Sequence, residues 1–137
     1  MDYAKFAQIA KDVGAYAYAD MAHISGFIAA GLLKNPLDYG FHAMMTTTHK
    51  SLRGPRGAMI LSKGIVSNPL KAPERTMENL PTLIDRSVFP GVQGGPHMQT
   101  IAAIAVALKE AGSDAFREYA KQSLLNAKAM ADEFLRL

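Results

Sequence analysis

The 137-residue sequence contains no cysteine, which excludes both a disulfide framework and a thiolate metal site. It also lacks any apolar run close to the roughly 20 residues that a membrane-spanning helix needs, so we expect no membrane partner. Neither sign of charge is in large excess. The net charge is only +3, and the basic residues do not cluster. These features argue against a nucleic-acid partner.

The remaining composition is typical of a globular domain, with 49% hydrophobic and 20% charged residues. Neither an internal repeat nor a low-complexity tract interrupts it. Residues 1–11 mix acidic, basic and apolar side chains, unlike a signal peptide. The lack of cysteine fits an intracellular protein, and we expect a cytoplasmic location.

The first half of the chain alternates between helix and strand patterns. Residues 2–13 have apolar side chains at helical spacing, with Asp2 as a candidate N-cap. The apolar run 15–23 predicts a buried strand that ends near Asp20, and residues 42–48 predict a second strand. This order of elements predicts an α/β fold. We expect a loop and a short helical turn over 24–33.

The second half begins with a third apolar run at 58–61. Residues 64–90 contain four prolines, and we expect a long connection without a regular element. A glycine-rich turn follows at 91–96. Residues 97–111 predict a helix that is apolar nearly all round and therefore buried on several sides.

The last helix is predicted over 115–137, with Ser113 and Asp114 as candidate caps. Its apolar side chains recur every three or four residues up to the last residue. Because the pattern has no stop signal, we expect the sequence to be a fragment of a longer chain.

Ionisable residues follow both strand candidates: Asp20 and His23 after the first, His49 and Lys50 after the second. Ligands of open α/β sheets bind beyond the carboxyl ends of the strands, and parallel strands would bring these residues to one edge. A lysine that is desolvated, or flanked by cations such as Arg53 and Arg56, can lose its proton and form a Schiff base.

Pyridoxal phosphate is the common partner of such a lysine. Its ring nitrogen needs a carboxylate to stay protonated, and Asp20 is the candidate. The glycine-rich turns offer backbone N–H groups to a phosphate.

Plainer interpretations of the same residues remain open at this point. A strand-end aspartate is more often a turn or cap residue. A lysine after an apolar run often marks only the point where the chain meets water. The two histidines could be structural, and the glycine-rich segments could be simple turns.

Three stretches together resemble the serine hydroxymethyltransferase (glycine hydroxymethyltransferase) family. They are DMAHISGFIAAG at 20–31, TTTHKSLRGPRGAMI at 46–60 and VFPGVQGGPHMQTIAAIAVALKEA at 88–111. The resemblance implies the three-layer large domain of a fold-type I pyridoxal phosphate enzyme, with residues 1–137 as the C-terminal half of that domain. It also implies transfer of a hydroxymethyl one-carbon unit between serine and tetrahydrofolate, with glycine and 5,10-methylene-tetrahydrofolate as products.

The resemblance also implies roles for individual residues. Lys50 resembles the lysine that forms the internal aldimine with pyridoxal 5'-phosphate. Asp20 resembles the carboxylate that pairs with the pyridinium nitrogen, and His23 the histidine near the phenolic oxygen. The remaining matches are residues that orient the lysine and assist proton transfers (Thr47, Thr48, His49), an arginine close to the cofactor (Arg56), and a turn that reaches the neighbouring subunit's cofactor phosphate (Gly94, Gly95).

That shared turn implies a homodimer or a higher homo-oligomer, and the resemblance implies no metal. We expect the isolated fragment to lack activity, because several substrate-binding residues of the family have no counterpart here. Two alternatives remain. The chain could come from another fold-type I enzyme, such as a threonine aldolase or an aminotransferase, or it could be a non-catalytic dimerisation fragment.

Overall fold

The computed structural model describes residues 1–64 and 74–137. The helices are α1 (Tyr3–Asp12), α2 (Ser25–Ala29), α3 (Leu80–Arg86), α4 (Met98–Ala111) and α5 (Asp114–Arg136), with a short 3₁₀ helix at Pro36–Tyr39. The strands are β1 (Tyr18–Asp20), β2 (Ala43–Thr47) and β3 (Ala58–Ser62). The described part of the chain is therefore mixed α/β, as the alternating patterns predicted.

Helices α1 and α5 begin directly after side chains that can cap them. Asp2 Oδ1 accepts a hydrogen bond from Lys5 N at 3.1 Å at the start of α1. Ser113 Oγ does the same for Phe116 N at 3.2 Å at the start of α5. These bonds satisfy backbone donors that lack a partner within the helix. Both predicted N-caps, Asp2 and Ser113, are thus confirmed.

The three strands form one sheet in the order β1-β2-β3. β1 and β2 run parallel, with Asp20 opposite Met45, whereas β2 and β3 are antiparallel, with Thr47 opposite Ala58. Side chains alternate between the two faces of a strand. One sheet face therefore carries Ala19 and Met44, and the other carries Tyr18 and Asp20.

Helices cover the face that carries Ala19 and Met44. One apolar cluster joins this face to α1 and the 3₁₀ helix (Tyr3, Ala17, Ala19, Met21, Leu37, Phe41, Met44). A second cluster joins α2, the segment after β2 and the two last helices (Ala30, Leu52, Ala111, Phe116, Ala120). The opposite face is more open, with Tyr18 53% and Ile60 44% exposed.

Two predictions about the second half were wrong. Residues 80–86 form α3, although we expected no regular element over 64–90; residues 65–73 of that span lie outside the described residues. Pro81 fits because a proline in the first turn of a helix sacrifices no intrahelical hydrogen bond. Helix α4 exists as predicted, but it is largely exposed, and Ala111 is its buried residue. In the described parts of the chain, no helix is both long and apolar enough to span a bilayer.

Candidate functional site

The carboxyl ends of β1 and β2 lie at one edge of the sheet because the two strands are parallel. The ladder continues one residue beyond β1, where Met21 N donates to Met45 O at 2.9 Å. Thr47 Oγ1 at the end of β2 then donates to Ala22 O at 3.3 Å. These bonds place the segment after Asp20 directly beside the segment before Lys50.

At this edge, Lys50 Nζ lies 3.3 Å from His23 Nε2. The ammonium donates to this ring nitrogen when the neutral imidazole carries its proton on Nδ1. Both side chains are exposed, so burial does not desolvate Lys50 within this chain. The expectation that strand ends would bring Lys50 and His23 together is confirmed.

Asp20 is held at the same edge by its own backbone. Its Oδ1 accepts a hydrogen bond from Ala22 N at 2.9 Å, which makes an Asx turn at the end of β1. Asp20 also borders an apolar cavity of about 660 Å³ beside the edge strand β1, which neither His23 nor Lys50 lines. Asp20 therefore lies at the end of β1, on the border of this cavity and at the sheet edge that also carries Lys50.

Asp20 also affects the ionisation of Tyr18, which lies on the same face of β1. Partial burial, and secondly the negative charge of Asp20, raise the pKa of the Tyr18 phenol above its ordinary value. Both causes disfavour the phenolate. The neutral phenol therefore borders the same cavity as the carboxylate.

A compact turn after β2 presents Lys50, and four hydrogen bonds within residues 48–57 close it. Thr48, which is 1% exposed, donates from Oγ1 to Pro55 O at 2.6 Å and from N to Gly57 O at 3.0 Å. Gly54 N donates to Thr48 O at 2.7 Å, and His49 Nδ1 accepts from Gly57 N at 3.4 Å. We call residues 48–57 the lysine turn.

The RGPRG segment allows helix α4 to pack against the lysine turn. A Cβ atom at Gly54 would lie 2.8 Å from Thr48 O and 2.9 Å from Ala107 Cβ of α4. At Gly57 it would lie 2.8 Å from Ile104 Cδ1. A side chain at Gly54 would therefore push α4 away, whereas at Gly57 the flexible end of Ile104 can turn aside. Arg56, between them, is exposed on the same turn.

Gly94 and Gly95 are not brought to this edge within the chain. They border a separate cavity of about 1210 Å³, together with residues of α3, β3 and α4. Gly95 has a φ of 56°, whereas Arg53 is the single non-glycine residue with positive φ among the described residues. Val92 in this turn, a β-branched residue that resists positive φ, does not have a left-handed backbone.

Two contacts at the edge were not anticipated from the sequence. Gly26 N of α2 donates to Ser51 Oγ at 2.9 Å, and a Cβ atom at Gly26 would collide with the backbone carbonyl of Ser51. Arg53 lays its guanidinium over Phe116 and Tyr119 of α5. For the first contact, the glycine at position 26 was the feature of the sequence that could have indicated a close backbone approach. No local pattern indicates the second, because its partners lie more than 60 positions away.

Comparison with known proteins agrees with the geometry. The family model described as serine hydroxymethyltransferase matches residues 1–137, the whole chain. The chain belongs to the serine hydroxymethyltransferase family.

Similar relatives include the cytosolic serine hydroxymethyltransferases of Aspergillus fumigatus (53% identical) and Saccharomyces cerevisiae (51% identical), each over 100% of this chain. The mitochondrial serine hydroxymethyltransferase of Candida glabrata is 52% identical over 99% of the chain. The chain spans 28–29% of the length of these relatives.

The donor set at the edge suits the cofactor that the serine hydroxymethyltransferase family uses. A primary amine is the group that captures the aldehyde of pyridoxal phosphate, and a carboxylate is the group that keeps a pyridine nitrogen protonated. Lys50 and Asp20 follow two neighbouring parallel strands, and His23 contacts the amine. Nothing in the packing of the lysine turn buries Nζ, so a carbonyl compound has access to it.

Proposed function

We propose that this chain supplies the lysine side of a pyridoxal phosphate site in a protein that transfers a hydroxymethyl one-carbon unit. The substrates are serine and tetrahydrofolate, and the products are glycine and 5,10-methylene-tetrahydrofolate. The observation that carries the proposal is the 3.3 Å contact between Lys50 Nζ and His23 Nε2, at the sheet edge where β1 ends in Asp20. Membership of the family supports the same reaction.

In this proposal, Lys50 is the amine that holds the cofactor covalently. When bound, pyridoxal phosphate supplies a cationic ring that accepts electrons from the breaking Cα–Cβ bond of serine. Asp20 keeps the proton on the ring nitrogen, and the Ala22 N–H fixes the orientation of the carboxylate. His23 holds the Nζ of Lys50 at the edge and borders the cofactor's phenolic oxygen.

Thr47, Thr48 and His49 orient the lysine. Thr47 ties the end of β2 to Ala22, and Thr48 closes the lysine turn with two hydrogen bonds. His49 accepts from a backbone N–H, which fixes its ring beside the lysine, where it can assist proton transfer. Arg56 contributes a cation for the negatively charged cofactor.

The assembly we propose is a homodimer or a higher homo-oligomer. Gly94 and Gly95 border their own cavity rather than the Lys50 edge, and space for a Cβ is open at both. Their backbone N–H groups are therefore available to the cofactor phosphate of a neighbouring subunit. The half-exposed side chains on the second sheet face support a further helix layer there, which would complete a three-layer fold. The proposed location is the cytoplasm, as in the names of several relatives.

Borohydride reduction in the presence of pyridoxal phosphate tests the assignment of Lys50. We expect peptide mapping by mass spectrometry to place the stable adduct on Lys50 in preference to the other lysines, because its amine lies beside His23 at the sheet edge where β1 ends in Asp20. Lys50→Arg should abolish this adduct. Lys128→Arg is the matched control, because Lys128 is an exposed lysine paired with Asp132 at 3.5 Å on α5.

Asp20→Asn should leave the Lys50 adduct in place, because Asp20 acts on the ring rather than on the amine. Adducts spread evenly over the lysines would refute the proposal for this chain and favour the non-catalytic dimerisation fragment. Tetrahydrofolate dependence of serine cleavage by the longer protein separates hydroxymethyl transfer from threonine aldolase or aminotransferase activity.

A further inference from the structure

Arg53 has a backbone conformation that is unusual for its residue type. Its φ is 49°, the left-handed region that glycine adopts at lower cost. Its side chain lies over two aromatic rings of α5, with Cζ 5.3 Å from the centroid of Phe116 and 4.5 Å from that of Tyr119. Both distances are within the range of a cation–π contact.

The two rings form a fixed platform. Phe116 is 1% exposed and belongs to the apolar cluster that also contains Leu52, the neighbour of Arg53. Tyr119 lies against Phe116, with ring centroids 5.8 Å apart. The Ser113 cap immediately before this turn of α5 holds its first N–H groups. Arg53 therefore docks on a part of α5 that is anchored from both sides.

The backbone of Arg53 is joined directly to the reactive lysine. Arg53 N donates to Lys50 O at 2.8 Å, and the next N–H, that of Gly54, donates to Thr48 O at 2.7 Å. A residue that leaves the left-handed region would swing its N–H and that of Gly54 away from these acceptors. The position of Lys50 in the turn thus depends on the backbone angle at Arg53.

We propose that Arg53 is a positioning residue for Lys50. Its guanidinium, stacked on Phe116 and Tyr119, holds the left-handed backbone that closes the lysine turn and keeps Nζ beside His23. The effect on cofactor capture rests on the function proposed above, whereas the effect on the turn does not. Helix α5, far from Lys50 in sequence, thereby controls where the amine lies.

Amide hydrogen exchange measured by NMR on the 137-residue chain tests the positioning role without any cofactor. Arg53→Ala removes the stacking group but keeps the Cβ that disfavours the left-handed region, and Tyr119→Leu removes the nearer ring while leaving Arg53 in place. Both should speed exchange of the Gly54 N–H about three- to fivefold, the factor that corresponds to one exposed cation–π contact. Arg53→Lys should give an intermediate value, because an ammonium keeps the charge but loses the stacked plane.

Borohydride trapping on the same variants measures the consequence for the amine. The ratio of adduct at Lys50 to adduct at Lys128 should fall by a similar factor of about three to five in Arg53→Ala and Tyr119→Leu. Arg117→Lys is the matched control, because Arg117 is an exposed arginine of α5 that pairs with exposed Asp114 at 3.3 Å. It should change neither measurement.

Unchanged Gly54 exchange in both Arg53→Ala and Tyr119→Leu overturns the positioning role, even if Lys50 is still trapped. If Arg53→Ala does not fold, Tyr119→Leu decides, since Tyr119 is 46% exposed and its replacement leaves the core intact. Absence of preferential trapping at Lys50 in the unaltered chain overturns the proposed function instead. The positioning role is then decided by the exchange rates alone.

Discussion

Tyr18 and Asp20 share one face of β1, and this neighbourhood changes the ionisation of the phenol. Partial burial is the larger cause of the raised pKa of Tyr18, and the charge of Asp20 is the smaller one. Because the folded-state pKa is raised, Tyr18 contributes stability that is complete below pH 10.0, the ordinary value of a phenol. That contribution is lost as the pH rises through the folded-state pKa.

Replacing Tyr18 by Phe should therefore make stability less dependent on pH above 10.0. Urea unfolding at a series of alkaline pH values measures this dependence. Asp20→Asn should lower the pKa of Tyr18 only in part, because burial remains, and NMR titration of the ring carbon bonded to oxygen reports it. A Tyr18 that titrates at or below 10.0 in the unaltered chain would contradict the expectation.

At the scale of elements, the site depends on close backbone approach around the lysine turn. Helix α2 touches this turn at Gly26, where a Cβ atom would collide with the Ser51 carbonyl. Helix α4 touches it at Gly54, where a Cβ atom would be squeezed between Thr48 O and Ala107 Cβ. Backbone cannot rotate out of the way as a flexible side chain can. Both approaches therefore need glycine.

Gly26→Ala and Gly54→Ala should each destabilise the chain by about 1–3 kcal/mol, the usual cost of overpacking. Gly94→Ala is the matched control, since nothing lies within 4 Å of its Cβ position. Thermal unfolding followed by circular dichroism measures the difference, with a lower Tm by roughly 5 °C or more expected for the first two variants. Equal melting temperatures for all three variants would show that the helices shift without cost.

At the scale of the whole molecule, α4 has one face on the lysine turn and one face in solvent. Ile104 and Ala107 pack toward Gly57 and Gly54. Met98, Ile101 and Leu108 follow the 3–4 spacing of a single helix stripe, and they are 65%, 48% and 37% exposed. A contiguous apolar stripe of this kind is a surface that associates with another apolar surface.

The chain should therefore self-associate as its concentration rises, and analytical ultracentrifugation measures this. Ile101→Gln combined with Leu108→Gln should shift the association to about tenfold higher concentration or more, because two apolar side chains leave the interface. Val106→Gln is the control, because Val106 is an apolar residue of α4 that is 59% exposed and lies outside this stripe. Equal association of the double variant and the unaltered chain would show that the contact lies elsewhere.

The sequence by itself determined the local elements and the order of the reactive residues. Asp2 and Ser113 marked two helix starts because capping acts within three residues. Alternating helix and strand patterns predicted an α/β fold, in which parallel strands would bring Asp20 and Lys50 to one edge. The structure shows that β1 and β2 are parallel. Helix α3 escaped prediction because the surrounding prolines resemble those of a loop, although Pro81 in a first turn is compatible with a helix.

Only the tertiary structure decided which side chains touch across long separations. Three contacts join residues that are far apart in the chain: His23 with Lys50, Gly26 with the Ser51 carbonyl, and Arg53 with the aromatic rings of α5. The exposure of α4 could not be predicted from the sequence either. An apolar helix indicates that its surface packs against something, but the helix sequence does not say which element packs there. Local patterns depend on neighbouring residues, whereas packing depends on how whole elements meet.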